Sequence, residues 1–154
     1  MTIIKSGHAK TRQSAPDDPL GPYTAHLITD TAGLTQFGAL IEELSPGAHS
    51  SFAHWHARED EMIMMLTGEV TAIEDGVETV LVPGDAACWR AGNPVAHTLF
   101  NHSAAVARYM VIGTRAASDK VTYPHHDRVL HFDRLAKTRR YTTVSGKESG
   151  PPVK

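Results

Sequence analysis

From residue 36 onward the chain alternates short apolar runs with tight turns. Gln36–Leu44 and Glu61–Leu66 are dense in apolar side chains, and Thr67-Gly68 ends the second run. Glu69–Ile73 alternates polar and apolar positions up to Asp75-Gly76. That dipeptide favours a type I′ hairpin, because both of its residues tolerate positive φ. Glu78–Val82 forms the return, Pro83-Gly84-Asp85 turns the chain again, and Ala86–Arg90, Ala96–Asn101 and Ala107–Ile112 continue the series. Runs this short, punctuated by Gly and Pro, predict an all-β antiparallel sandwich or barrel. No long helical period precedes Asp127, and no repeat is large enough for a second barrel.

The ends are less regular. Residues 1–22 are rich in Ser, Pro, Gly and Asp and read as a flexible arm of loop. Ala25–Thr29 begins the strand pattern. After residue 113 the pattern weakens, so the C-terminal segment is expected to be irregular. Val121–Tyr123 suits one more strand, and Asp127–Lys137 suits a short helix or a strand over a barrel edge. The expected organisation is an arm over 1–22, a barrel over 23–144 and a loosely held tail over 145–154.

Composition narrows the function. A chain of 154 residues makes one domain, and its net charge of −2 argues against a nucleic-acid partner. The run Lys137, Arg139, Arg140 reads as a solvated patch. No window approaches the roughly 18 apolar residues of a membrane span. Ile3-Ile4 is followed at once by Lys5, with no apolar leader core, so a cytoplasmic location is expected. Cys88 is the only cysteine, which excludes an intrachain disulfide and a multi-cysteine zinc site. Ten histidines are many for this length, and imidazole is the commonest metal ligand.

Spacing selects among them. In His54-Trp55-His56 the two imidazoles stand at i and i+2, so on a strand they face the same side. Glu61 follows a four-residue turn, and a hairpin there sets a carboxylate across from the pair. Two His and a carboxylate on rigid sheet suit one divalent ion, whether Zn, Fe, Mn, Ni or Co. His97 follows a Gly/Pro turn and starts an apolar strand, and non-local pairing could bring it beside the first three as a fourth candidate. Glu59 shares strand parity with Glu61 and is a candidate base, as is Tyr109. Trp89, Arg90 and Tyr109 suit a pocket mouth, and Arg90 and Arg108 suit an anion-binding role, because guanidinium binds carboxylate or phosphate bidentately. Met62, Met64 and Met65 read as barrel filling.

These residues resemble the two sequence motifs of the cupin superfamily. His54, His56, Glu61 and Gly68 fit the first motif with its internal spacing, and Gly84, Gly92, His97 and Asn101 fit the second. Three departures are visible. One extra residue separates Gly47 from His54, Arg90 stands where the family has Pro, and two extra residues precede His97. The resemblance implies a double-stranded β-helix (a jelly-roll barrel) with His54, His56, Glu61 and His97 as metal ligands. Stretches such as Ser45-Pro46-Gly47, Pro83-Gly84-Asp85 and Tyr123-Pro124 resemble small single-domain cupins described as sugar-phosphate-isomerase-like. By that resemblance the chain is expected to use its metal as a Lewis acid on a small, polar, carbohydrate-like or carboxylated molecule. Glu59 or Tyr109 would move the proton, and a homodimer is expected from the family's habit. The same ligands also permit an Fe(II)-dependent oxygenase or a non-enzymatic binder, since one fold hosts many chemistries.

Overall fold

A computed structural model describes residues 1–153. One sheet has six strands in the order β1 (Lys10–Gln13), β2 (Tyr23–Leu27), β3 (Phe37–Leu44), β10 (Ala107–Thr114), β5 (Glu61–Thr67) and β8 (Ala86–Trp89). A second runs β14 (Glu148–Ser149), β13 (Thr138–Thr142), β12 (Arg128–Asp133), β11 (Ser118–Tyr123) and β4 (Trp55–His56). A third comprises β7 (Val77–Leu81), β6 (Val70–Glu74) and β9 (His97–Phe100). A bridge between His54 and His97 joins the second and third sheets into one surface. Every pairing is antiparallel. A five-residue helix, α1 (Ile28–Ala32), links β2 to β3.

The core lies between the six-stranded sheet and the joined surface. Leu44, Ile63, Met65, Ala107 and Tyr109 come from the first, and Val70, Ala72, Leu81 and Leu99 from the β7-β6-β9 sheet. The twofold period of a strand decides which methionines enter. Met65 is buried with Ile63, whereas Met62 lies partly exposed and Met64 is 43% exposed. Only one of the three expected filling methionines is therefore core.

The turns follow from local chemistry. Asp75 and Gly76 adopt φ of 49° and 79° and close the β6–β7 hairpin, as the type I′ pattern predicts. Gly68 has φ of 74°, and a Cβ there would meet the Val106 carbonyl and Ala107 Cα at 3.0 Å. Both the backbone angle and the close approach require glycine.

Two expectations about the ends change. Lys10–Gln13, expected as loop, forms an exposed edge strand registered against β2, with Arg12 opposite Ala25. After residue 113 the expected strand at Val121–Tyr123 lies in β11, and the strand alternative for Asp127–Lys137 is β12. The segment expected to be irregular is nonetheless a full meander, with β13 and, in the expected tail, β14. Its strands were hard to read because they mix apolar residues with charged ones such as Asp119, Lys120 and Arg139, which also mark loops. The chain around Glu61 also differs from a hairpin. β4 pairs with β11 while β5 pairs with β10 and β8, so residues 57–60 cross from one sheet to the other.

Asn101 fastens the turn after β9. Its side chain is fully buried; Nδ2 donates to the Leu44 and Ala105 carbonyls at 2.8 Å, and Oδ1 accepts from Ser103 N and Oγ. Asn101→Ala leaves these buried groups without partners and should destabilise the fold by about 2–3 kcal/mol. Urea unfolding checks this; a change below about 0.5 kcal/mol would show that the turn does not depend on it.

Candidate metal centre

His54 and His97 form a close antiparallel backbone pair. His54 N donates to the His97 carbonyl at 3.1 Å, and His97 N donates back at 3.0 Å. Directly opposed residues project to the same face, so the two rings lie with centroids 5.0 Å apart. His56, two residues on, shares that face. Glu61 enters from the other sheet at the start of β5. Its Oε2 lies 3.5 Å from His56 Nε2, 3.7 Å from His97 Nε2 and 3.9 Å from His54 Nε2.

The imidazoles are oriented from behind. His54 Nδ1 faces the Phe52 carbonyl at 2.9 Å, with Ser51 Oγ at 3.1 Å. His56 Nδ1 faces Asp119 Oδ2 at 2.7 Å. Both contacts favour the Nδ1–H tautomer, which turns an Nε2 lone pair inward. Asp119 is fully buried at its side chain, and its Oδ1 accepts from Arg58 N at 2.7 Å. His97 is held differently. Trp89 stacks on its ring at 3.8 Å and 8°, and neither ring nitrogen has a hydrogen-bond partner. Buried polar atoms are seldom left so. An orphaned inward nitrogen beside two oriented imidazoles and a carboxylate fits a metal ligand set, and His54, His56 and Glu61 form a group that could hold an ion.

Electrostatics keep the group poised. Burial brings His54 down to about 4, against the pull of Glu61. Burial also opposes a charge on His56, but the Asp119 hydrogen bond and the nearby carboxylates outweigh it and raise its pKa. Burial pushes Glu61 up, yet His97, His54 and His56 together bring it below its ordinary value.

Two spaces meet at His54. An inner cavity of about 220 Å³ is lined by His54, Glu61, Trp89, His97, Glu42 and Tyr109, with Arg12 at its edge. An outer cleft of about 490 Å³ runs from His54 and His56 to the β12–β13 hairpin. Tyr109, fully buried, donates to Glu42 Oε1 at 2.5 Å. Burial and the Glu42 charge push the Tyr109 hydroxyl well up, and burial raises Glu42 against the Tyr109 hydrogen bond and the Arg12 charge.

The expected site residues divide. His54, His56, Glu61, His97, Trp89 and Tyr109 come together. Glu59 is near but engaged: Oε1 accepts from Ala116 N at 2.8 Å and from Arg134 Nη2 at 2.9 Å, and Oε2 accepts from the same Nη2 at 3.1 Å. Arg90 is exposed; it borders a groove with Glu61 and Trp89 and a small space it shares with His56, Glu61 and His97. Arg108 does not reach the site. It alternates against Tyr109 on β10, so it faces outward, where its Nε lies 3.1 Å from Glu43.

Three residues escaped the sequence reading. Glu42 has the core parity of Leu44, and Asp119 that of Val121, so an acid at an inward position was the available signal. Arg134 lies in a turn and gave none.

Comparison with known proteins agrees with this architecture. Residues 40–113 match the Cupin domain family. No curated protein sequence matches the chain. Among solved structures, a sugar phosphate isomerase from a cupin superfamily, from Silicibacter pomeroyi, is 28% identical, with a TM-score of 0.87 and 97% of each chain covered. An Acidithiobacillus ferrooxidans protein assigned provisionally as a sugar phosphate isomerase is 20% identical, with a TM-score of 0.84 over 97% of this chain and 96% of that one. A predicted oxalate decarboxylase from Thermotoga maritima is 15% identical, with a TM-score of 0.63 over 75% of this chain and 100% of that one.

The protonation pattern has a measurable outcome for metal-free protein. An imidazole with a lowered folded pKa loses stability as pH falls from 6.5 toward 4, because the unfolded chain takes a proton that the folded chain refuses. His56, raised, works in the opposite sense: its stabilisation is present at low pH and is lost as pH rises through its folded pKa. His54→Gln should therefore gain stability relative to wild type as pH falls through that window. Thermal unfolding in chelator measures the difference; parallel wild-type and variant curves would contradict it.

The jelly-roll topology, the motif residues converging between its sheets and the match over residues 40–113 together show that the chain carries a cupin domain.

Proposed function

We propose that this protein is a metal-dependent enzyme of isomerase type, acting on a small polar molecule with a carbonyl beside a hydroxyl. The observation that carries the reading is the convergence of three imidazole nitrogens on one Glu61 oxygen, with His97 otherwise unpartnered. His54, His56, Glu61 and His97 would hold a divalent ion, which would supply a Lewis acid for the carbonyl. Three imidazoles and a carboxylate suit Zn, Fe, Mn, Ni or Co.

The chain's own contribution is proton handling. Tyr109 donates a hydrogen bond to Glu42 inside the cavity that the ligands line. They are assigned the transfer between adjacent carbons, for which a group must lie within hydrogen-bond reach of the substrate. Glu59, with both oxygens engaged, is assigned to positioning Arg134. Trp89 covers His97 and excludes water from that side. The buried hydrogen-bonded pair of titratable groups favours isomerisation over oxygen chemistry, and the 28%-identical Silicibacter protein is called a sugar phosphate isomerase.

Elemental analysis should find one divalent equivalent in wild type and none in His54→Ala or Glu61→Gln. Asp119→Asn should keep the stoichiometry but weaken affinity by about 10- to 100-fold. Full metal content in His54→Ala would show the site to be misassigned. Anaerobic turnover in deuterated water should place deuterium next to the substrate carbonyl. Glu42→Gln or Tyr109→Phe should lower kcat by about 10²- to 10⁴-fold with metal content unchanged. Turnover that stops without oxygen would replace the isomerase with an oxygenase.

A further inference from the structure

The outer cleft has two chemically different ends. His54 and His56 lie at one end, with Tyr123, whose ring centroid is 5.7 Å from that of His54, beside them. Lys137 and Arg139 lie at the other, on the hairpin between β12 and β13. Read from sequence, the run Lys137, Arg139, Arg140 is a uniform solvated patch; strand alternation splits it. Arg139 sits opposite Phe132, another cleft residue, whereas Arg140 sits opposite His131 on the other face.

The hairpin tip carries a lysine at a position whose backbone favours glycine. Residues 134–137 form the turn, and Asp133 Oδ1 accepts from Ala136 N at 2.8 Å. Lys137 has φ of 54°, a conformation in which glycine is favoured. The turn accepts backbone strain and thereby sets an ammonium at the cleft rim. Among the described residues neither Lys137 nor Arg139 has an ion-pair partner, whereas Arg108, Arg115 and Arg134 each have one. Asp133, the acid on the same rim, holds the turn through one oxygen and pairs with neither cation. Two unpaired cations against one carboxylate thus line a cleft whose volume suits a small molecule.

We infer that Lys137 and Arg139 form an anion subsite that holds the phosphate, or a similar dianion, of a small molecule whose oxygen-bearing end reaches His54 and His56. The inference rests on the proposed function for the second end only; the anion subsite stands on the cleft itself. Arg134 fixes the subsite's distance from the ligands, since its Nη2 bonds Glu59 and its Nε bonds the Ala116 carbonyl at 3.1 Å.

Titration calorimetry on metal-loaded protein tests this with three probes: inorganic phosphate, ribose and ribose 5-phosphate. Ribose 5-phosphate should bind at least about tenfold more tightly than either of the others, because it spans both ends. Lys137→Gly and Arg139→Gln should each weaken it about tenfold and leave ribose unchanged. Lys137→Gly should also melt no lower than wild type, since glycine relieves the turn, which separates lost charge from lost folding. Equal binding of ribose and ribose 5-phosphate, no binding of either phosphate probe at millimolar concentration, or unchanged affinity in both variants would each overturn the subsite. A protein that binds phosphate through these residues but exchanges no deuterium keeps the subsite and loses the isomerase reading.

Discussion

The reciprocal backbone hydrogen bonds between His54 and His97 are the contact on which the site depends. They join the β4 and β9 edges of two sheets into one continuous surface. They also place two imidazoles side by side without asking either side chain to create the contact. His56 follows by strand parity, and Glu61 arrives from the opposite sheet. Side-chain convergence is thus a by-product of backbone pairing, and backbone pairing between non-local strands is set by the whole barrel.

The orienting contacts behind the ring nitrogens serve a second purpose. A buried imidazole can present a lone pair inward only if its proton is accommodated elsewhere. The Phe52 carbonyl does this for His54 and Asp119 for His56. His97 has no such partner and is fixed by stacking on Trp89 instead. The three rings are therefore held by three different means: a backbone dipole, a full charge and a flat apolar face.

Much of the barrel was legible because its strands are short, apolar and cut by Gly or Pro. The expected runs at 36–44, 61–66, 69–73, 78–82, 86–90, 96–101 and 107–112 all appear as strands within a few residues. The i, i+2 histidines were legible for the same reason, since parity is local. What required distance was not. That residues 57–60 cross between sheets, that Asp119 backs His56 and that Glu42 meets Tyr109 are outcomes of long-range register. Arg108 was placed wrongly for a related reason: its chemistry suited an anion, but its neighbour Tyr109 already held the inward position. The C-terminal meander was obscure because its solvent-facing positions carry the polar residues that also mark loops.

The Glu59–Arg134 pair has a consequence beyond its two residues. The barrel wall and the bonds around Asp119 are buried from salt, but Arg134 is 41% exposed while Glu59 is 9% exposed. Attraction between charges near the surface weakens as dissolved ions screen it. The β-ladder still holds β12 at its base, so only the tip beyond it responds. The cleft thus has one wall shielded from salt and one held partly by a pair that salt should loosen, so its fit to a charged occupant should depend on the solution as well as on the fold.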